Sequence, residues 1–187
     1  MNDVQIREAL KRFLHAKSNK PRMLIEELRI HNGNSIADVV GIYSFMHGYE
    51  IKGEKDKVSR LQRQSHYYSK TFPAVTLVTT SNHLSWALAN LPSCWGLLIA
   101  EKNSAADIVF KYARKAGHNR DFSQNLALSM LWKDELTNLA KKYLVPLNQK
   151  DSREAIANKL APILKKRDTA AHLAEIIFER YKSSSTI

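Results

Sequence analysis

The sequence predicts an α/β fold in which a mixed β-sheet is flanked by helices and followed by a helical C-terminal part. Residues 3–16 carry apolar side chains at helical spacing. Residues 23–52 contain short β-branched runs around an Asn32-Gly33 turn, and strand-like runs end after Lys102. The chain has 187 residues, of which 44% are hydrophobic and 25% charged, enough for a sizeable buried core.

The predicted elements form an antiparallel meander, then two helix–strand units, then four helices. The predicted strands are 23–30, 35–43, 49–52, 74–79 and 95–100, with helices at 56–70 and 82–90 between the last three. The predicted C-terminal helices lie near 104–116, 121–143, 152–166 and 168–182. We therefore predict an α/β core at 1–102 and a basic helical extension at 103–187.

The chain is strongly basic, with a net charge of +11 and a pI of about 9.8. Residues 1–102 carry 14 basic and 9 acidic side chains, and residues 103–187 carry 15 and 9. This balance favours a polyanionic partner, with nucleic acid ahead of a membrane surface, and both halves of the chain should contribute to the binding surface.

The single cysteine, Cys94, excludes an intramolecular disulfide and a Cys-rich zinc site. No apolar run approaches the ~20 residues that span a bilayer, and the N-terminus lacks the pattern of a secretory signal. The sequence therefore predicts a cytoplasmic protein without membrane contact.

Three side chains form the most informative pattern: Asp38 on one predicted strand, then Glu50 and Lys52 on the next. Because side chains alternate along a strand, Glu50 and Lys52 share one face while Tyr49 and Ile51 share the other. Asp38 can lie alongside them across the hairpin. Two adjacent carboxylates repel each other unless a cation lies between them, which favours Mg²⁺ or Mn²⁺. Such an ion activates water for phosphodiester hydrolysis, and the ammonium group of Lys52 can stabilise the developing charge.

The pattern resembles the PD-(D/E)XK nuclease superfamily, whose motif stands here as Ala37-Asp38-Val39 and Tyr49-Glu50-Ile51-Lys52. The chain is similar to small, mostly uncharacterised bacterial and phage proteins in that superfamily. The resemblance extends from about residue 4 to about residue 101. It rests on these motifs and on the further segments Ile25-Glu26-Glu27-Leu28, His47-Gly48, Arg60-Leu61 with Gln64, and Trp95-Gly96.

The resemblance implies a restriction-endonuclease-like core with Asp38 and Glu50 as metal ligands and Lys52 as a catalytic residue. The backbone carbonyl of Ile51 is a further candidate ligand. A supporting upstream acid is expected, with Glu27 as the first candidate, then Glu26, then Glu8. Gln64, on the helix after the motif, is expected near the active centre. The related pattern commonly has Arg where this chain has Ile36.

Basic residues follow the motif and are candidates for phosphate contacts, although a solvated helix face explains them equally well. They are Lys55, Lys57, Arg60 and Arg63. Residues 132–160 predict a helix, an extended loop and a second helix. This order resembles a SAP-type DNA-binding motif, but a helical hairpin that braces the core fits it as well.

The expected function is therefore metal-dependent hydrolysis of phosphodiester bonds, with DNA as the expected substrate and a homodimer as a weaker expectation. The alternative is a non-catalytic module that keeps the nuclease fold to bind nucleic acid or protein, for example in phage–host conflict. The intact Asp38, Glu50 and Lys52 favour the enzyme.

Overall fold

A computed structural model describes residues 1–184, apart from the side chains of Asn32 and Arg60. The strands are β1 (Met23–Ile30), β2 (Ser35–Ile42), β3 (Met46–Lys52), β4 (Ala74–Thr79), β5 (Gly96–Lys102) and β6 (Ile108–Arg114). The helices are α1 (Asp3–His15), α2 (Leu61–Thr71), α3 (Leu84–Asn90), α4 (Gln124–Leu128), α5 (Lys133–Lys142), α6 (Arg153–Leu160) and α7 (Lys166–Ser184).

The six strands form one mixed sheet in the order of the sequence, β1 to β6. β1, β2 and β3 form the predicted antiparallel meander. β3, β4 and β5 are parallel, and helices α2 and α3 provide the crossovers that parallel neighbours require. The predicted α/β class, a mixed sheet flanked by helices and followed by C-terminal helices, is confirmed.

The sheet has an apolar layer on each face. On one face, α1 packs Ile6, Leu10 and Leu14 against Tyr49 and Ile51 of β3. On the other face, α2 and the C-terminal helices build the larger core, which includes Tyr68, Phe72 and Trp95. This two-sided burial means that neighbouring residues of β3 enter different environments.

The helix predicted at 104–116 is wrong, because Ile108–Arg114 forms the edge strand β6, antiparallel to β5. Burial alternates along this strand, with Ile108, Phe110 and Tyr112 half-buried towards α1. The sheet therefore continues past residue 102, where the sequence placed the start of a helical extension.

The C-terminal helices share the main core with the sheet. The helix predicted at 121–143 is divided into α4 and α5, while the predictions at 152–166 and 168–182 correspond to α6 and α7. Buried side chains of α5, α6 and α7, such as Leu139, Leu160 and Leu173, join the core beneath α2. The helix–loop–helix of α5 and α6 therefore braces the core, and its DNA binding stays a prediction.

Within residues 1–184, no helix combines the length and hydrophobicity needed to cross a bilayer.

Candidate metal centre

The predicted metal site lies where β2 and β3 separate. Their ladder runs from Ile42 opposite Met46 to Val39 opposite Tyr49, where the pairing ends. Beyond that point the Asp38 side chain replaces the ladder, and its Oδ2 accepts a hydrogen bond from the Ile51 amide at 2.7 Å. Asp38 and the Glu50-Ile51-Lys52 segment are therefore brought together, as the sequence predicts.

Glu50 and Lys52 project away from α1, towards the face that carries α2. Glu50 is 0% exposed, and the Lys52 side chain is 14% exposed. The Lys52 Nζ donates to Glu50 Oε1 at 2.5 Å. The alternation predicted for this strand is confirmed, since Tyr49 and Ile51 pack against α1 on the opposite face.

Glu50 has one buried oxygen with no hydrogen-bond partner among the described residues, Oε2. A buried carboxylate oxygen without a partner is costly, because folding removes it from water and returns no interaction. Burial and the charge of neighbouring Glu50 raise the pKa of Asp38 to about 7. The buried Glu50 and the half-buried Asp38 therefore form a mutually repelling pair of carboxylates, which a cation would stabilise.

Tyr68 of α2 supports this pair from beneath. Its hydroxyl oxygen accepts a hydrogen bond from the Asp38 amide at 3.0 Å. Burial, then the charges of Glu50 and Asp38, and then a side-chain hydrogen bond to the Glu50 carboxylate raise the pKa of Tyr68 well above its usual range. Tyr68 therefore stays a neutral phenol that positions both acids. The spacing of Tyr68 from Leu61 predicts a place on the apolar face of α2, and its contact with Asp38 follows only from the packing of α2 on the sheet.

A second layer of charge, missed in the sequence, comes from α1. The Arg7 guanidinium donates to Asp3 Oδ2 at 3.0 Å and to Glu27 Oε1 at 3.2 Å. It also lies 3.9 Å from Asp38 Oδ1. The spacing of Asp3 and Arg7 predicts a pair along one helix, but only the packing of α1 on the sheet shows that Arg7 reaches the acids of β1 and β2.

The upstream acids lie farther from the centre than the resemblance implies. Glu27 has a 69% exposed side chain and reaches Asp38 only through Arg7. Glu26 and Glu8 both pair with Lys11, at 2.7 and 2.6 Å. Glu26 Oε2 also lies 3.8 Å from Arg7, so both Glu27 and Glu26 are linked to Asp38 through this one side chain, and Glu27 makes the shorter contact.

The backbone at Glu27 explains why strand alternation did not identify the supporting acid. Glu27 has a φ of 54°, in the left-handed region, and the register of β1 and β2 passes from Glu26 opposite Val39 to Leu28 opposite Ala37 without pairing Glu27. Alternation is broken here, because Ile25 and Leu28 enter the same core. Glu26 therefore lies on the side of α1, where it pairs with Lys11, while Leu28 and Ile30 enter the core on the other face.

Gln64 lies on α2 between Leu61 and Tyr68, the helix face that meets the sheet. Its Oε1 is buried without a hydrogen-bond partner among the described residues. A buried amide oxygen of this kind can accept from a bound water or ligand. The role predicted for Gln64, orienting the active centre, stays a prediction.

The predicted phosphate-binding residues lie around the loop that follows β3. Lys55, Lys57 and Arg63 are exposed. The fourth residue, Arg60, belongs to the same stretch, but its side chain lies outside the part that the structure describes. These exposed cations lead from the end of β3 to the start of α2, and their contact with nucleic acid stays a prediction.

The donor set fits a hard divalent cation. Asp38 and Glu50 supply carboxylates, and the Ile51 amide points at Asp38, so the carbonyl of the same residue faces the same side of the strand. Mg²⁺ commonly binds through one or two carboxylates and keeps several waters. In the part of the chain that the structure describes, no three His, Cys, Asp or Glu side chains are grouped to hold a metal. Backbone oxygen and water would therefore complete the coordination shell.

Comparison with known proteins places this fold in a phage family. The family model of bacteriophage P4 protein cII matches residues 2–187. Protein cII of Enterobacteria phage P4 is 24% identical over 165 residues, which cover 86% of this chain and 62% of that protein. The chain thus spans less than two thirds of the length of its phage relative.

A solved structure shares the architecture. A protein of unknown function from Silicibacter pomeroyi has a TM-score of 0.50 and 17% sequence identity, over 81% of this chain and 98% of that chain. This likeness supports the α/β fold alone. The family match covers almost every residue, from the second to the last, and agrees with the predicted relationship to phage or bacterial proteins. The chain belongs to the bacteriophage P4 protein cII family.

Proposed function

We propose that this protein is a Mg²⁺- or Mn²⁺-dependent nuclease of the PD-(D/E)XK type that hydrolyses phosphodiester bonds in DNA. One observation carries the proposal: the buried Glu50 keeps an unpartnered Oε2 beside Asp38, a half-buried acid. A protein that needed Glu50 only for folding would satisfy that oxygen with a donor. A divalent cation accounts for both the missing partner and the close carboxylates.

The neighbouring residues have the chemistry that this reaction requires. When bound, the metal supplies Lewis-acid polarisation of a phosphate oxygen and a more acidic water. Glu50 Oε1 fixes the ammonium group of Lys52, whose charge can stabilise the attacking hydroxide or the developing phosphorane. The Ile51 amide and the Tyr68 hydroxyl orient Asp38. This orientation is fixed before substrate arrives, which lowers the reorganisation that the reaction demands.

Charge supports DNA as the substrate. The net charge of +11 is spread over both halves of the sequence, and Lys55, Lys57 and Arg63 are exposed near the end of β3. Such cations bind phosphates without reading sequence, by releasing the counterions of the nucleic acid. The protein is therefore expected to hold DNA in a salt-dependent manner, whichever strand form it cleaves.

Replacing Lys52 by Ala should reduce cleavage on the order of 10²-fold or more, because a charge that acts at the transition state is removed. Supercoiled, linear and single-stranded DNA are incubated with Mg²⁺ or Mn²⁺, and with EDTA as the metal-free control. Lys111→Ala, which removes an exposed lysine on the edge strand β6 outside the proposed site, is the matched control and should retain activity. Cleavage that persists in EDTA or in Lys52→Ala would contradict the proposal.

A second candidate is a binding module without catalysis, and Arg7 favours it. Its guanidinium contacts Asp3 and Glu27 and approaches Asp38, so a cation of the protein itself already offsets part of the negative charge. In such a module the charge of Arg7 would neutralise the acids in place of a metal ion, and DNA or a protein partner would bind without being cleaved.

Arg7→Gln separates the two candidates. The substitution should destabilise the metal-free fold by about 1 kcal/mol, because it removes the ion pairs of Arg7 with the partly exposed Asp3 and Glu27. If the centre binds metal, Mn²⁺ should restore much of the lost melting temperature. If Arg7 replaces the metal, Mn²⁺ should change the melting temperature of neither the wild type nor the variant. Arg12→Gln, on the exposed side of α1, is the matched control.

A further inference from the structure

A cavity of about 610 Å³ opens beside the candidate metal centre, between β1 and the C-terminal helices. Glu27 is part of its wall. The Glu27 carboxylate accepts a hydrogen bond from Arg7, and the Arg7 guanidinium lies 3.9 Å from Asp38. The cavity and the carboxylate pair are therefore joined through two side chains. We name it the Trp132 cavity, after the aromatic residue at its rim.

Trp132 is 59% exposed, which is unusual for a residue whose indole could bury a large apolar area. Its ring is held in place: the Arg180 guanidinium lies 4.4 Å from the ring centre. Arg180 is fixed in turn by an ion pair with Glu135 and by a hydrogen bond to the carbonyl of Met130. The indole is thus a pre-positioned flat surface that the fold leaves open to solvent.

The wall of the Trp132 cavity is positively charged. Arg29 from β1 and Arg153 from α6 line it together with Arg180 from α7, whose charge is paired with Glu135; Glu27 is the acid among the lining residues. Guanidinium groups bind phosphate oxygens in a planar, two-pronged geometry. A flat aromatic surface beside arginines matches a nucleotide, whose base stacks and whose phosphate pairs with the cations.

We propose that the Trp132 cavity binds one nucleotide of single-stranded DNA, with its base stacked on Trp132 and its phosphate held by the cavity arginines. The inference rests on the proposed function in one respect, that the bound strand continues past Glu27 to the carboxylate pair. Any base can stack on an indole, so the cavity is expected to bind the strand without selecting its sequence. An acidic peptide would use the arginines but would gain little from the indole.

The test is binding in EDTA, where no cleavage can occur. Fluorescence anisotropy of a labelled oligothymidylate of about 12 nucleotides is measured with wild type, Trp132→Ala, Trp132→Phe and Leu88→Ala. Loss of one stacked base should weaken binding about tenfold in Trp132→Ala. Trp132→Phe should recover most of the affinity. Leu88→Ala, which removes another exposed large side chain on α3, should bind like wild type.

Intrinsic fluorescence gives a second readout. A base stacked on the exposed indole should quench the tryptophan emission of the wild type on titration, and the quenching should disappear in Trp132→Phe. The other two tryptophans should not respond, because Trp95 is buried and the half-buried Trp86 of α3 packs against the main core and does not line the cavity. Because most of the Trp132 ring lies outside the core, its variants are expected to fold, and circular dichroism checks this.

The outcomes separate this inference from the nuclease proposal. If binding depends on Trp132 but no cleavage occurs in Mg²⁺ or Mn²⁺, nucleotide binding in the Trp132 cavity is supported and the nuclease proposal is rejected. If the wild type cleaves DNA but the wild type and Trp132→Ala bind oligothymidylate with equal affinity, nucleotide binding in the Trp132 cavity is rejected and the nuclease proposal stands. Binding of polyglutamate in place of the oligonucleotide would also overturn the cavity, since it would assign the arginines to an acidic protein partner.

Discussion

Asp38→Asn is expected to make the metal-free protein more stable at pH 8 and to remove cleavage. The carboxyl has a pKa of 3.8 in the unfolded chain, and burial beside Glu50 raises it to about 7 in the fold. Below pH 3.8 the group is neutral in both states. As pH rises from there through 7, the unfolded chain releases a proton that the fold retains, so stability is lost progressively. Ionised Asp38 then costs the metal-free fold on the order of 4 kcal/mol.

Asparagine avoids this loss because it never ionises, while its oxygen can still accept from the Ile51 amide. Urea unfolding in EDTA measures the difference between variant and wild type across the pH range. The advantage of the variant should be largest at pH 8 and should shrink towards zero as pH approaches 4. A variant less stable than wild type at pH 8 would show that Asp38 is a structural anion.

Activity should move in the opposite direction to stability in the same variant. Loss of a charged ligand removes electrostatic stabilisation of the reacting phosphate, and the rate of cleavage should fall on the order of 10³-fold. A single substitution that stabilises the fold and abolishes activity is typical of a residue kept for function, because active sites hold groups that folding alone disfavours.

The local pattern of the sequence was enough to predict that Asp38, Glu50 and Lys52 lie together in the fold, and their role in metal binding stays a prediction. The two-residue spacing of Glu50 and Lys52 fixes their common face, and a short hairpin brings Asp38 beside them. These relations depend on neighbours in sequence and on strand geometry, so they could be found without tertiary structure. The burial of Glu50 could not be predicted in this way, because it depends on the packing of α2 over the sheet.

Contacts made across the fold account for what was missed. Arg7 is separated from Glu27 by 20 positions and meets it only because α1 packs on the sheet. The break in alternation at Glu27 needs a left-handed residue that is not glycine, which no spacing rule predicts.

β6 is a different kind of error, because its signal was present. Ile108, Phe110 and Tyr112 alternate with Val109, Lys111 and Ala113, which is the two-residue period of a half-buried strand. The basic, strand-poor character of the surrounding residues favoured a helix, and the local period was the better guide.

Metal binding should depend steeply on pH, because a cation competes with the proton on Asp38. Below pH 7 that carboxyl is largely protonated, and each metal ion that binds must displace the proton. The affinity for Mn²⁺ should therefore rise up to tenfold per pH unit towards 7 and then level off. Isothermal titration from about pH 5.5 to 8 measures this slope, and repeating it in buffers of different ionisation enthalpy counts the proton released.

Two variants distinguish the contributions of Asp38 and Glu50 to Mn²⁺ binding and to its pH dependence. Asp38→Asn should bind Mn²⁺ weakly and without this pH dependence, because the titrating group is gone. Glu50→Gln should lose binding at every pH, because the buried oxygen without a partner becomes part of a neutral amide. A wild-type affinity that is constant between about pH 5.5 and 7 would contradict binding at Asp38. Since Arg7 already lies 3.9 Å from that carboxylate, such a result would assign the neutralising charge to the arginine and favour the binding module over the enzyme.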